Sequence, residues 1–230
     1  MLRVWAPLVL CLGMSCGAWA QQAQSGDDSQ WTSDMAARRA ELIKRNGVGT
    51  DAALRDKLVA MGERDQAARG MVHGQPVDKD NLVLAKNLGE VDAGLTAELK
   101  AIVARHGWPT ISLVGDKAAN AAMLILTHSS DHAWQRSTLP TLEALAAKGK
   151  IDGSALALVV DKELVSEGKL QRYGTQFKEV NGQMAMFAVE DPEGLDARRA
   201  SVFLMPMDAY RELLTQIYHQ QVSGQVVAAK

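Results

Sequence analysis

Three side chains suited to metal binding or proton transfer stand within five residues near the middle of the chain. They are His128, Asp131 and His132, in the string HSSDH. On a continuous helix the three would share one face, and their spacing is similar to the H-x-x-E-H string of zinc proteases, with a shorter acid. However, no third ligand is evident, and Ser129-Ser130-Asp131 can cap a new helix that separates the two histidines. We therefore expect no metal at this stretch.

Two interpretations of His128 remain open. A histidine side chain titrates near neutral pH, which suits a general acid or base, and Asp131 or Asp161 could orient the ring. Alternatively, His128 is a hydrogen-bonded residue at the end of a buried helix, where the helix dipole favours a charged imidazole. In that case Asp131 is a helix cap. The catalytic candidates are His128, Asp131 and Asp161.

Asp161 is a candidate because it follows six apolar residues, 155–160. A carboxylate in that position is either the solvent-facing end of a helix or the buried partner of a cation. We favour a buried partner, and Arg198 or Arg199 is the expected cation.

A second polar cluster is the string QRYGTQ, residues 171–176. In an extended strand alternate side chains point the same way, and Gly174 permits a bulge or a close backbone approach. Two amides, a phenol and a hydroxyl can bind a carbonyl, a sugar or a peptide through neutral hydrogen bonds. The same side chains could equally satisfy loop backbone. The predicted ligand-binding residues are Gln171, Tyr173, Thr175, Gln176 and Arg199.

The elements that must position these groups are mostly helical. Aromatic residues make up only 5% of the chain, while Ala, Leu, Val and Met are plentiful, which favours helices over a β-sandwich. Residues 116–128 are apolar almost all round and predict a buried central helix. Alternating residues on both sides of Asn181-Gly182 predict a β-hairpin over about 170–189. The predicted fold is mainly α: a helical bundle around the 116–128 helix, with one hairpin.

The start of the chain has the pattern of a secretion signal. Arg3 precedes an apolar run over 4–17, and Ala18-Trp19-Ala20 is typical of a signal-peptidase site, which predicts cleavage before Gln21. The run is short for a membrane span, although an uncleaved anchor or a lipid on Cys16 is an alternative. Both cysteines fall in this segment, so the mature chain would have no disulfide. We expect a periplasmic or secreted protein with no integral membrane span after cleavage.

The rest of the chain forms one predicted domain. We expect a signal peptide over 1–20, a polar tail and an N-terminal helix over 21–49, a single α-rich domain over 50–220 and a frayed tail over 221–230. The net charge is −2 and the sequence has no basic block, which argues against a nucleic-acid partner.

Four strings occur in an order that resembles a bacterial family known as domain of unknown function 6624. They are LVAMGERDQAAR (58–69), VARHGWPTISLVGDKAANAAMLILTHSSD (103–131), LALVVDKELVSEGKLQRYGTQF (156–177) and DARRA (196–200). The resemblance covers roughly residues 50–220, and its most specific parts are GWP at 107–109 and Q-x-YGTQ at 171–176. It implies a glutamine at the position of Thr127 and an arginine at the position of Lys162. It implies no activity, because no function is established for the family.

Three functions are compatible with these residues. The first is a binding or interaction module for a small molecule or peptide, with a polar cleft between His128 and Asp131 on one side and the 171–176 strand on the other. The second is a metal-independent hydrolase- or transferase-like enzyme that uses His128 as general acid or base. The third is a purely structural domain. We expect no cofactor, and the sequence leaves the oligomeric state open.

Overall fold

The structure is a computed structural model that describes residues 26–72, 75–77 and 84–229, with backbone only at 26–32, 75–76 and 217–218. The predicted signal peptide, residues 1–20, lies outside the described residues. The helices are α1 Gly26–Asn46, α2 Ala52–Ala68, α3 Leu88–His106, α4 Ile111–Val114, α5 Asp116–His128, α6 His132–Ala147, α7 Gly153–Ser166, α8 Leu195–Ser201 and α9 Met207–Tyr218. The strands are β1 Met71–Val72, β2 Gln75–Pro76, β3 Phe177–Val180, β4 Gln183–Phe187 and β5 Val222–Val227.

Helix α5 is the centre of the molecule, and it has the bounds that the sequence predicts, Asp116–His128. Nine of its residues, most of them apolar, are buried, because α2, α3, α4 and α7 all pack against it. Burial on every side explains why the helix is apolar almost all round rather than along one stripe. The prediction of a mainly α fold around this helix is confirmed.

The contact between α2 and α5 is close because a glycine stands at the crossing. A Cβ built on Gly62 would lie 2.8 Å from the Cβ of Ala121, which is well inside van der Waals contact. The small residues therefore let the two helix backbones approach. This crossing holds the C-terminal half of α2 against α5.

The predicted hairpin is present, but its strands are shorter than the predicted range of about 170–189. Strand β3 pairs antiparallel with β4, and Asn181 and Gly182 form the turn with φ values of 53° and 77°. Such positive φ angles are those that a two-residue hairpin turn requires. Residues 171–176 are not part of the hairpin ladder; they form a loop, described below.

The C-terminal tail is ordered as a strand, so the prediction of a frayed tail over 221–230 is wrong. Strand β5 pairs in parallel with β4, and Ala188 donates its N–H to the carbonyl of Val227 at 2.8 Å. The second edge of β4 needs hydrogen-bond partners, and the tail supplies them. The tail has no local signal that shows this pairing, because its partner lies some forty residues earlier.

Helix α1 begins at Gly26, inside the 21–49 segment for which a polar tail and an N-terminal helix are predicted. Met35 and Leu42 are buried, and Arg39 donates to the buried Asp152 at the start of α7, with Nε 2.7 Å from the carboxylate. These contacts attach α1 to the bundle.

Two glycine-to-alanine variants test the close crossing of α2 and α5. Gly62→Ala should lower the free energy of unfolding by about 1–3 kcal/mol, because overpacking exceeds the gain in helix propensity. Gly94→Ala, in α3, is the matched control: a Cβ there meets nothing within 4 Å, so it should raise stability by about 0.5–1 kcal/mol. Urea unfolding measures both. A stabilised Gly62→Ala variant would show that the crossing has room to spare.

Candidate functional site

The HSSDH stretch forms a corner between α5 and α6, and its three polar side chains bond to three different helices. His128, the last residue of α5, bonds to Asp65 of α2. Asp131 caps α6 by accepting from the N–H of Trp134 at 2.9 Å and forms an ion pair with Lys100 of α3. The histidines therefore do not share one helix face. We call residues 127–132 the α5–α6 corner.

The bond between His128 and Asp65 is the end of a buried polar chain. Nδ1 of His128 lies 2.8 Å from Oδ1 of Asp65, and the two side chains are 4% and 0% exposed. Arg69 bonds to the same Asp65 oxygen at 3.0 Å. Its other terminal nitrogen meets both carboxylate oxygens of Asp92, at 2.9 and 3.0 Å. The carboxylate that bonds to His128 is thus itself held by a network of charged side chains.

Sequence reasoning missed the role of Asp65, because Asp65 and Arg69 at i, i+4 suggest an ordinary surface ion pair. A usable signal exists in α2. Its buried residues include Leu54, Leu58, Met61, Asp65 and Ala68, at alternating spacings of three and four. Asp65 therefore occupies a position on the apolar stripe of the helix. A carboxylate on such a stripe needs a buried partner.

The third corner residue, His132, bonds to Glu163 in the last turn of α7. Its Nδ1 lies 2.7 Å from Oε1 of Glu163, and Arg136 donates to the other Glu163 oxygen at 3.0 Å. Glu163 is 3% exposed, whereas His132 and Arg136 are 45% and 44% exposed. A buried carboxylate thus holds an exposed histidine and an exposed arginine next to each other.

Backbone carbonyls of the corner are also bonded. Lys162 donates to the carbonyls of Thr127 at 2.7 Å and Ser129 at 3.3 Å. The buried amide of Gln135 donates to the carbonyl of Leu126 at 2.7 Å. These donors satisfy the last carbonyls of α5, which have no partner within the helix. Thr127 and Lys162, the positions where the family resemblance implies other residues, therefore contact each other.

Asp161 is the anchor of the 171–176 loop. Its side chain is fully buried and accepts N–H groups from Arg172 at 2.7 Å, Tyr173 at 3.0 Å and Thr175 at 2.9 Å. The hydroxyl of Thr175 adds a bond at 2.9 Å. Burial raises the pKa of Asp161, and the hydrogen bonds from the loop oppose this effect. The described hydrogen-bond partners of Asp161 are backbone N–H groups and the Thr175 hydroxyl, and its charge acts on the expected cation Arg199 through space, not through a described ion pair.

The amide side chains of the loop are used inside the protein. Gln171 accepts from the N–H of Gln176 at 2.9 Å and donates to the carbonyl of Phe187 at 2.7 Å. Gln176 donates to the hydroxyl of Thr175 at 3.1 Å. Gln171, Thr175 and Gln176 are 0%, 7% and 4% exposed. The loop is therefore built as a closed turn around Asp161.

Arg199 closes the loop from its other side. This fully buried guanidinium donates to the carbonyl of Tyr173 at 2.6 Å and of Met205 at 2.6 Å, and it lies 4.7 Å from the ring centre of Tyr210. Burial lowers the pKa of Arg199 to about 10. The peptide groups around Tyr173 thus lie between a carboxylate and a guanidinium. The carboxylate of Asp161 accepts hydrogen bonds from their N–H groups, and the guanidinium of Arg199 donates one to the carbonyl of Tyr173.

Tyr173 is the least enclosed of the predicted ligand-binding residues. The structure packs it partly buried against the main core, and burial raises the pKa of its phenol. The sequence grouped it with His128 and Asp131 in one cleft. The described partners of these groups differ, since His128 bonds to Asp65, Asp131 to Lys100, and the loop to Asp161.

The predicted roles of Asp131 and Asp161 as the acid that orients His128 are therefore not those seen. The described carboxylate on Nδ1 of His128 is Asp65. Hydrogen bonding to Lys100, first among several effects, lowers the pKa of Asp131. In the described part of the chain, no three His, Cys, Asp or Glu side chains group in a way that could hold a metal ion.

Comparison with known families decides the relationship of this chain. The model of a family of unknown function (DUF6624) matches residues 52–223. The chain belongs to this family. The DUF6624 match begins with α2 and ends at the start of β5, so it includes the α5–α6 corner and the 171–176 loop and leaves α1 outside. No curated protein and no solved structure matches the chain. Among the described helices, none is long and apolar enough to cross a membrane.

Asparagine variants of two aspartates test whether the 171–176 loop depends on Asp161. Asp161→Asn should lower the free energy of unfolding by about 2–3 kcal/mol, because the amide nitrogen would face N–H donors and leave them without an acceptor. Asp131→Asn, at a surface ion pair, should have little effect. Urea unfolding compares the two. Equal losses would contradict the anchor role of Asp161.

The raised pKa of Asp161 predicts a pH dependence. Above the ordinary value of 3.8, the unfolded carboxyl loses its proton while the folded one keeps it until pH passes the raised pKa. The stability of wild type relative to Asp161→Asn should therefore fall as pH rises through that window. Unfolding free energies of both proteins between about pH 3.5 and 7 measure this difference. A difference that grows with pH has the opposite sign and would contradict it.

Proposed function

We propose that the protein is an exported acid–base enzyme, hydrolase- or transferase-like, in which His128 gives or takes the proton. The observation that supports this is the 2.8 Å bond between Nδ1 of His128 and the fully buried carboxylate of Asp65. A histidine held in this way by a carboxylate is a recurrent arrangement for proton transfer. No cofactor is part of this proposal.

The bond gives the two ring nitrogens different roles. An ionised carboxylate can only accept hydrogen bonds. Nδ1 of His128 therefore carries a proton and donates the hydrogen bond to Asp65. Nε2 is then the atom that exchanges a proton with a substrate. When Nε2 takes a proton, the charge of Asp65 stabilises the imidazolium that forms.

The carboxylate is itself fixed, which supports a positioning role for it. Arg69 joins Asp65 to Asp92 through hydrogen bonds of 2.9–3.0 Å, so the acid cannot rotate without breaking contacts to two helices. Supporting groups of this kind keep a reactive side chain in one geometry. The chain Asp92–Arg69–Asp65–His128 thus has the order of a catalytic group with its supports.

The alternative of a binding module with a polar cleft has weaker support. The polar groups of four predicted ligand-binding residues bond mainly to backbone and to each other; they are Gln171, Thr175, Gln176 and Arg199. A ligand would have to displace these internal bonds. His128 is as buried as these residues, at 4% exposure, so the preference for the acid–base function rests on its bond to Asp65 and not on exposure.

Export remains part of the proposal. Its support is the sequence alone: a basic residue, an apolar run and a small-x-small site before Gln21. The proposed location is periplasmic or secreted.

The test is a panel of chromogenic carboxylic esters, phosphate esters and glycosides, with wild type and two glutamine variants. His128→Gln should lower any turnover by about 100- to 10,000-fold, because it removes the proton-transfer group. His106→Gln is the control, since His106 is exposed at the end of α3, and it should keep full turnover. Thermal unfolding of each variant separates loss of chemistry from loss of structure.

Two results would contradict the proposal. One is a turnover that His128→Gln leaves at the wild-type rate while the variant stays folded. The other is a His128→Gln variant whose activity falls only in proportion to its folded fraction, which would mean that the bond is structural.

A further inference from the structure

We infer that His132 and Arg136 form a binding site for an oxyanion, the phosphate, sulfate or carboxylate group of a ligand, on the open face of α6. The site is separate from the pair His128–Asp65 and does not depend on the acid–base proposal. Its basis is an exposed arginine and an exposed histidine that a buried carboxylate holds in place.

Glu163 holds His132 and Arg136 side by side before any ligand binds, and we call these three residues the fork. One carboxylate oxygen lies 2.7 Å from Nδ1 of His132, and the other lies 3.0 Å from Nη1 of Arg136. His132 and Arg136 are one helical turn apart on α6, and each is nearly half exposed, at 45% and 44%. Because Glu163 already fixes both side chains, a ligand does not have to order them on binding, which lowers the entropic cost.

The bonds to Glu163 leave donors for a ligand. A guanidinium has five N–H groups, and Glu163 takes one of them at Nη1 of Arg136. When His132 is protonated, its Nε2–H is a second type of donor. Arginine and imidazolium donors are those that bind carboxylate and phosphate most strongly.

The acidic side chains next to the fork are themselves paired with cations. Lys169 forms a 2.7 Å ion pair with Glu167. Glu167 is the nearest described competitor for Arg136, but its oxygen is 3.9 Å from Nε, which is long for a hydrogen bond. On the other side Asp131 pairs with Lys100. His132 also begins α6, at the positive end of a sixteen-residue helix.

The experiment is calorimetric titration of sodium sulfate into the full chain at constant ionic strength, at about pH 5.5 and pH 8. Sulfate remains a dianion over this range, so any pH effect comes from the protein. The variants are Arg136→Gln, Arg136→Lys and His132→Gln. The control is Arg64→Gln, which removes another exposed arginine that also pairs with a glutamate, Glu98.

Wild type should bind one sulfate with saturation, at least about tenfold more tightly at pH 5.5 than at pH 8. Arg136→Gln should weaken binding by about tenfold or more. Arg136→Lys should weaken it too, because lysine keeps the charge but lacks the planar guanidinium group. His132→Gln should abolish the gain at low pH. Arg64→Gln should bind as wild type does. Acetate, titrated in the same way, shows whether the fork prefers a planar or a tetrahedral oxyanion.

Three results would overturn the inference. They are no saturation by sulfate or acetate up to about 50 mM at pH 5.5, an equal loss in Arg64→Gln and Arg136→Gln, and a gain at low pH that survives in His132→Gln. Thermal unfolding of each variant shows that it is folded, and Arg136→Lys, the smaller change, keeps the test valid if Arg136→Gln does not fold.

Discussion

The carboxylate of Asp65 is the group on which this end of the molecule depends. It is fully buried on α2 and is bonded both to Arg69 of the same helix and to His128 of α5. A buried charge without partners would be very unfavourable. The fold therefore has to bring α2, α3 and α5 to one point, and the close crossing at Gly62 makes this possible. The position of His128 is a consequence of that arrangement.

A second buried carboxylate, Asp161, organises the other half of the domain in a different way. Its partners are the N–H groups of one loop, and the hairpin and β5 follow directly from that loop. Asp65 binds ionisable side chains, whereas Asp161 binds backbone. Only the first arrangement leaves a histidine attached to the carboxylate, and this difference is why we propose His128 for the chemistry and a structural role for the 171–176 loop.

The sequence predicts those parts of the structure that local pattern determines. The bounds of α5 follow from its apolar composition, and the hairpin turn follows from Asn181-Gly182. The partner of His128 could not be predicted, because Asp65 is 63 residues away and looks locally like half of a surface ion pair. Strand β5 was missed for the same reason, since its pairing with β4 is distant in sequence. The polar residues of QRYGTQ resemble a ligand site because internal and external hydrogen bonding require the same side chains.

The central claim is that Asp65 fixes the imidazole of His128 with its proton on Nδ1. Nitrogen-15 NMR of the histidine side chains measures this directly, because protonated and unprotonated ring nitrogens have well-separated chemical shifts. In the neutral form of His128 we expect a proton on Nδ1 and none on Nε2, and a loss of this preference in Asp65→Asn. A neutral His128 with its proton on Nε2 in the wild-type protein would contradict it.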